Sequence, residues 1–166
     1  MNSQFLIEKL ESSDDYKKFI EENPKAYLCS GFFDIDVNNT SENKYHFDFF
    51  IPSKKKTFSF ELETGKIAEL ERNYEEKILD RVLLKKNFDF YKIEEKIAIE
   101  MELQRVKNKI QKMIFSLQNF EGKDTLFGTI LISGLALIKM TFDISENKIE
   151  EFEKKSFFDM MKIVKK

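Results

Sequence analysis

Three residues on neighbouring predicted strands are of the types that carry out acid–base or metal chemistry. His46 is the only histidine, Asp48 follows it on the same polar strand face, and Asp34 lies one predicted strand earlier. Imidazole and carboxylate groups serve as general bases and as metal ligands, so this group predicts a catalytic or metal site. The competing interpretation is a solvated strand face with alternating acids, and the missing second imidazole favours it.

No other catalytic pattern is present in the sequence. Cys29 is the sole cysteine, and it lies in an apolar stretch without the basic neighbours that would activate its thiol. The chain has no glycine-rich phosphate loop and no paired histidines. We therefore predict a non-catalytic protein without a cofactor. A small metal-dependent hydrolase built on His46, Asp48 and Asp34 is the alternative.

The composition bears on partners and location. Only three of the 28 basic residues are arginine, and the formal net charge is −2. Arginine supplies the bidentate phosphate contacts of nucleic-acid binders, so its scarcity argues against a nucleic-acid partner. The most apolar run, Leu126 to Ile138, is 13 residues long and too short to span a bilayer. With no signal-peptide stretch at the N-terminus, we predict a cytoplasmic protein without a membrane span.

One segment of the chain occurs twice. TFSFELETGKIAELE, from Thr57 to Glu71, corresponds to KMTFDISENKIEEFE, from Lys139 to Glu153. Gly65 of the first copy is replaced by Asn147 in the second, and both residue types tolerate the left-handed conformation of a tight turn. The repeat predicts two copies of one supersecondary unit.

Capping residues, Pro24 and apolar periodicity predict the elements around both copies. In order, they are helices at 5–10 and from Ser13 or Asp14 to Asn23, strands at 26–37, 44–51 and 57–62, a helix at 75–86, a long helix reaching from Asn87 or Asp89 to Asn119, strands at 125–133 and 135–144, and a helix at 157–164. We therefore expect an α+β fold of two similar halves, each a helix on an antiparallel sheet, with a long central helix.

The first half resembles a PepSY domain. The resemblance rests on a helix that stops at an Asn-Pro step, on the strands that follow it, and on the run FELETGKI from Phe60 to Ile67. The second half fits the same pattern with Asn147 in the turn and one strand fewer.

This resemblance implies tandem PepSY-like halves at 1–82 and 83–166, of the same helix-on-sheet shape as cystatin-like folds. Domains of the PepSY family are generally non-catalytic, and some are inhibitory or interaction modules. Many lie outside the cytoplasm, and the missing signal-peptide stretch departs from that pattern. The implied function is a binding or regulatory module.

Surplus aromatic residues indicate where a partner would bind. Phe32, Phe33 and Phe50 exceed what one side of a small sheet needs, unless the second copy covers them. We predict a protein partner or self-association as a dimer. A sensor that holds an apolar small molecule between helix and sheet is a further possibility, which a cavity lined by phenylalanine would favour.

Overall fold

The computed structural model describes residues 1–71 and 77–164, and within them the chain forms one eight-stranded antiparallel sheet. The strands are β1 (Tyr27–Asp36), β2 (Lys44–Ile51), β3 (Lys56–Glu61), β4 (Ile67–Leu70), β5 (Ile110–Phe120), β6 (Lys123–Ile132), β7 (Ala136–Asp143) and β8 (Lys148–Ser156). Their order across the sheet is β4-β3-β2-β1-β5-β6-β7-β8. Two four-stranded meanders therefore meet at β1 and β5.

Four short helices accompany the sheet in the part of the chain that the structure describes. They are α1 (Ser3–Glu11), α2 (Asp14–Glu22), α3 (Phe90–Leu103) and α4 (Phe157–Val164), with a 3-10 turn at Thr40–Glu42. The side chain of Ser13 accepts a hydrogen bond from the Tyr16 N–H at 3.2 Å. Of the two predicted N-caps, Ser13 and Asp14, it is therefore Ser13 that caps α2. Ser156 accepts one from the Asp159 N–H at 3.1 Å, which confirms the predicted start of the last helix.

The predicted architecture of two helix-on-sheet halves with a long central helix is wrong. α3 ends at Leu103, because Arg105 adopts a left-handed conformation (φ 59°) and the Val106 N–H bonds back to the Met101 carbonyl at 2.7 Å. Residues 110–119, expected to be helical, belong to β5, which pairs with β1 over six residue pairs. A single sheet therefore runs through both halves.

The misassignment of β5 has a simple physical origin. Its buried residues Met113, Phe115 and Leu117 alternate with more exposed ones, which is the period of a strand. Met113 and Leu117 also continue the three-or-four spacing of the preceding helix, so the apolar pattern fits both structures. Pairing with β1 on one side and β6 on the other decides in favour of the strand.

The helix predicted at 75–86 is also wrong for residues 77–86, the part of it that the structure describes. Residues 75 and 76 lie outside the described residues, and residues 77–86 form an irregular connection. The Val82 N–H donates to the Leu28 carbonyl at 2.8 Å, and Leu84 adopts a positive φ of 46°. We call residues 77–88, between the first meander and α3, the connector.

The two copies of the repeated segment form equivalent hairpins at opposite edges of the sheet. Phe60 pairs with Ile67 in β3 and β4, and Phe142 pairs with Ile149 in β7 and β8. The turn residues Gly65 and Asn147 both have a positive φ, 70° and 53°. The residue types of the two turns thus match the left-handed geometry that they adopt.

The hydrophobic core lies between one face of the sheet and α1, α2 and α3. Its fully buried sheet residues include Phe33, Phe47, Phe115 and Phe142, and the helices add residues such as Leu6, Phe19 and Ile97. Full burial of each such side chain contributes about 1.5–3 kcal/mol. The aromatic composition is therefore used mainly to fill this one layer.

Gly128 of β6 makes room for that packing, and its replacement by alanine should destabilise the fold. A Cβ at this position would lie 2.8 Å from Met140 Cγ and 3.0 Å from Phe115 Cε1. We expect Gly128→Ala to lower the free energy of unfolding by about 1–3 kcal/mol, through overpacking. Urea denaturation measures this, with Thr129→Ala on the same strand as the control. Equal stability of Gly128→Ala and wild type would contradict the packing argument.

Asp143 is a buried carboxylate that organises the β7–β8 turn. It accepts hydrogen bonds from Ser145 Oγ (2.8 Å), the Glu146 N–H (3.0 Å) and Lys123 Nζ (3.3 Å). Burial alone would raise the pKa of Asp143, but these hydrogen bonds and the lysine charge outweigh it and lower the pKa from 3.8 to about 2. The folded state therefore favours the ionised carboxylate.

The lowered pKa of Asp143 makes its contribution to stability depend on pH. Since the folded pKa lies below the unfolded one, the contribution is complete above 3.8 and is lost as the pH falls toward 2. We expect Asp143→Asn to cost about 1–3 kcal/mol at neutral pH and less near pH 2. Urea denaturation at both pH values tests this against Asp80→Asn, an exposed control. A penalty independent of pH would show that the charge is not involved.

Candidate binding site on the open face of the sheet

The sheet face opposite the core, which we call the open face, carries one continuous row of side chains. The row consists of residues paired in register from β3 to β8: Glu61, His46, Phe32, Ser116, Phe127, Thr141 and Glu151. Side chains on successive strands at paired positions lie next to one another. Aromatic and imidazole rings thus occupy the middle of the row, and carboxylates occupy both ends.

The middle of the row lines a groove with a volume of about 700 Å³. Phe32 and Phe127 flank the small side chain of Ser116, with Ile114 beside them. The Phe32 side chain is 42% exposed, and Phe127 is half-buried, with the Phe120 ring against it at 5.8 Å. The groove therefore offers two aromatic walls around a shallow floor.

Charged residues line one side of this groove and also end the row on the far strand. Lys139, Glu151 and Glu153 line it on the β7–β8 side. At the other end of the row, a hydrogen bond from Thr64 Oγ1 at 2.6 Å lowers the pKa of Glu61. Glu61 thus places a carboxylate at that end of the row.

The three phenylalanines proposed as a binding group lie in different environments. Phe32 is exposed on the open face, whereas Phe33 is fully buried in the core, 5.1 Å from the Phe90 ring. Phe50 faces the open side but is only 4% exposed, and its ring lies 5.6 Å from that of Tyr27. Only Phe32 of the three is accessible to a partner. The groove partner Phe127 was not singled out from the sequence. The available signal was that Phe127 shares its strand face with Thr125 and Thr129, whereas Leu126 and Ile130 lie on the other face.

His46, Asp48 and Asp34 all lie on the open face, but each contacts a different neighbour. His46 Nδ1 is 3.4 Å from Ser59 Oγ, and Asp48 Oδ2 accepts a hydrogen bond from Ser30 Oγ at 2.7 Å.

Asp34 instead forms an ion pair with Lys112, with 3.0 Å between Oδ1 and Nζ. The hydrogen bond to Asp34 and the negative charge of Asp34 raise the pKa of Lys112. Within the described ranges, no group of three or more His, Cys, Asp or Glu side chains is placed to hold a metal ion. The contacts thus give the hydrolase alternative no specific support.

The connector closes one end of the open face, next to Phe50. The Tyr27 hydroxyl donates to the Leu79 carbonyl at 3.1 Å. Further along, Asp124 in β6 accepts hydrogen bonds from the N–H groups of Leu83 (3.2 Å) and Leu84 (2.7 Å). The Asp124 carboxylate therefore anchors the connector to the second meander, together with Lys86 Nζ, which donates to the Ser145 carbonyl at 2.6 Å.

Comparisons of the chain with family models, with curated proteins and with solved structures found no match. The resemblance to PepSY domains therefore stays a prediction. None of the described helices is long and apolar enough to cross a membrane.

Removing the Asp124 carboxylate should loosen the connector and expose the thiol beneath it. Cys29 is 3% exposed, and it lines a small depression together with Lys77 and Leu79. We expect Asp124→Ala to increase the labelling rate of this sole cysteine under native conditions several-fold.

The labelling experiment uses Glu121→Gln, at an exposed position just before β6, as its control. Mass spectrometry after iodoacetamide treatment measures the rate, and denaturant titration of each variant corrects for global unfolding. An unchanged rate in Asp124→Ala would show that other contacts hold the connector.

Proposed function

We propose that the chain is a non-catalytic protein-binding module that recognises its partner through the open face of the sheet. The observation that carries this proposal is the exposed ring of Phe32 in the middle of an in-register row, at the wall of a concave groove. Aromatic residues in such positions dominate the affinity of protein interfaces. The exposed Phe32 ring is therefore the kind of side chain that would lie at the centre of a protein interface.

The shape of the groove supports a partner that inserts an apolar side chain. Ser116 lies in register between Phe32 and Phe127, so its short side chain leaves space between the two rings. An aliphatic or aromatic side chain in that space would bury both rings, and burial contributes about 25 cal/mol per Å². Lys139 and Glu151 at the rim would orient the partner through charge.

The resemblance to PepSY domains agrees with a binding or regulatory role. Members of that family are generally non-catalytic, and some are interaction modules. The contacts of His46, Asp48 and Asp34 with separate neighbours add nothing that favours catalysis. Substrate turnover that His46→Ala abolished without unfolding the chain would contradict the proposal.

Replacing Phe32 with aspartate should abolish partner binding. The substitution places a negative charge at the centre of the proposed interface, where water would be excluded. Because burying that charge is unfavourable, we expect the affinity for the partner to fall by more than about tenfold. Immobilised wild type and Phe32→Asp are compared in affinity capture from the native organism. Each captured protein is then purified and titrated against both.

The matched control is Ile99→Asp, which introduces the same charge at an exposed apolar position of α3, away from the open face. A partner lost with Phe32→Asp and retained with Ile99→Asp supports the proposal. Light scattering of the purified chain detects a partner that is a second copy. If every binding partner is retained equally by both variants, the open face is not the interface.

A further inference from the structure

A different exposed apolar surface lies at the end of the sheet where β7 begins and β8 ends. Leu135, in the turn between β6 and β7, is 64% exposed and adopts a left-handed conformation with a φ of 54°. The Phe157 N–H donates to the Leu135 carbonyl at 3.0 Å, so α4 begins beside this turn. We call the exposed apolar side chains there the apolar tip; they are Leu135, Phe157, Phe158, Met160 and Met161.

The first six residues of α4, 157–162, are all exposed. Two of them are polar, Asp159 and Lys162, and being three positions apart they lie on the same side of the helix. The other four are large and apolar. The apolar side of a helix on a globular protein normally packs on the core. In α4 the described part of that side faces solvent instead, and Phe158 is 67% exposed.

The start of α4 is fixed by its own residues. The Asp159 N–H donates to Ser156 Oγ at 3.1 Å, and the Ser156 N–H donates to an Asp159 carboxylate oxygen at 3.4 Å. This reciprocal pair is a capping box with aspartate in the place of the usual glutamate or glutamine. α4 is therefore formed without a partner, and a partner would not have to order its first turn.

The segment that contains α4 is basic in an otherwise acidic chain. Residues 154–166 include five lysines and one acid, Asp159, whereas the whole chain has 28 basic and 30 acidic residues. The segment thus carries a charge of +4, and subtracting it from the net charge of −2 leaves −6 for residues 1–153. An asymmetry of this kind indicates an interaction with an anionic surface.

Tertiary structure brings further basic residues to the same end of the sheet. Lys109, just before β5, donates its N–H to Ser133 Oγ at 2.9 Å, and its carbonyl accepts the Ser133 N–H at 2.8 Å. Ser133 lies two residues before Leu135 in the turn. Arg105 and Lys107, which lead into Lys109, are exposed as well. Basic residues from two separate parts of the chain therefore lie near the apolar tip.

Acidic residues at this end of the sheet are fewer. Glu100 and Glu102 lie in the last turn of α3, and Asp159 belongs to the cap of α4. Glu153 of β8 is paired with Lys155, with 3.8 Å between Oε2 and Nζ. Among the residues that the structure describes, these four acids stand against six basic residues: Arg105, Lys107, Lys109, Lys154, Lys155 and Lys162.

These features fit a lipid surface better than a protein or a nucleic acid. Lysine is depleted in the interfaces between proteins, whereas an apolar face with phenylalanine and adjoining lysines is typical of helices that lie in the bilayer interface. Each lysine near an anionic leaflet adds to the affinity through its charge, while its aliphatic stem packs along apolar side chains. The scarcity of arginine disfavours nucleic acid as the anionic partner.

We propose that the apolar tip docks on the surface of an anionic lipid bilayer. α4 lies in the plane of the interface, with Phe158 and Met161 between the headgroups and the acyl chains and with Lys154 and Lys162 at the level of the phosphates. This inference goes beyond the proposed function, because none of the residues of the apolar tip lines the groove of the open face. The chain would thus bind a protein and a membrane through separate surfaces.

Fluorescence of an introduced tryptophan tests the docking directly, because the chain contains no tryptophan of its own. Phe158→Trp keeps the tip apolar, and Phe5→Trp at an exposed position of α1 is the matched control. Both are titrated with vesicles of phosphatidylcholine alone and of equimolar phosphatidylcholine and phosphatidylserine. We expect only Phe158→Trp to shift its emission to shorter wavelength and to be quenched by brominated acyl chains. Its affinity for the anionic vesicles should be at least about tenfold higher than for the neutral ones.

Substitutions in the full chain separate the apolar and the charge contributions, with co-sedimentation as the measurement. Phe158→Ser should weaken binding to the anionic vesicles about tenfold, because a large apolar side chain is no longer buried. Lys154→Gln combined with Lys162→Gln should weaken it to a similar extent of about tenfold. The control pair Lys17→Gln and Lys18→Gln, exposed on α2, should bind like the wild type. Thermal unfolding verifies that each variant is folded.

Three outcomes would overturn the proposal. The first is an unchanged emission of Phe158→Trp, or an equal response of Phe5→Trp. The second is tighter binding to a single-stranded RNA oligonucleotide than to the anionic vesicles. The third is a dimer, seen by light scattering, that Phe158→Ser dissociates while the wild type ignores vesicles. Phe32→Asp should bind the vesicles like the wild type, so failure of the protein-binding proposal and failure of this one are distinguishable.

Discussion

The pairing of β1 with β5 is the constraint on which the rest of the structure depends. The two strands join the meanders through a ladder from Gly31–Leu117 to Asp36–Lys112, with Phe33 opposite Phe115 near its middle. Both rings are fully buried, and Phe90 at the start of α3 contacts both, at 5.1 and 5.6 Å between centroids. One helix terminus thus stabilises the junction of the two meanders.

The register of this junction determines which side chains belong to the candidate site. In a strand, a shift of one residue moves every side chain to the other face. The observed register places Phe33 in the core and Phe32 opposite Ser116 on the open face. It also pairs Ile35 with Met113, and both side chains are buried in the core. The proposed protein interface therefore depends on the backbone hydrogen bonds between β1 and β5.

Local signals allowed part of the fold to be predicted. The alternation in β2 gave its observed bounds, Lys44–Ile51, and the Ser13 cap with the Asn-Pro step delimited α2. These two predictions succeed because a few neighbouring residues determine the backbone conformation, through capping, proline geometry and the alternation of side chains between strand faces. Of the residues singled out for binding, only Phe32 has the exposure that a site needs. Exposure is set by what packs on a face, and local patterns do not contain that information.

The amino-acid sequence by itself determined the duplicated hairpins, the composition of an aromatic core and the starts of α2 and α4 at their serine caps. Tertiary structure decided whether residues 110–120 would be helix or strand, because their apolar spacing suits both and only pairing with β1 and β6 selects one. It also decided the roles of acidic residues. Asp124 anchors the connector, Asp143 is buried in a turn and Asp34 forms an ion pair with Lys112, because long-range packing places a different set of donors around each carboxylate.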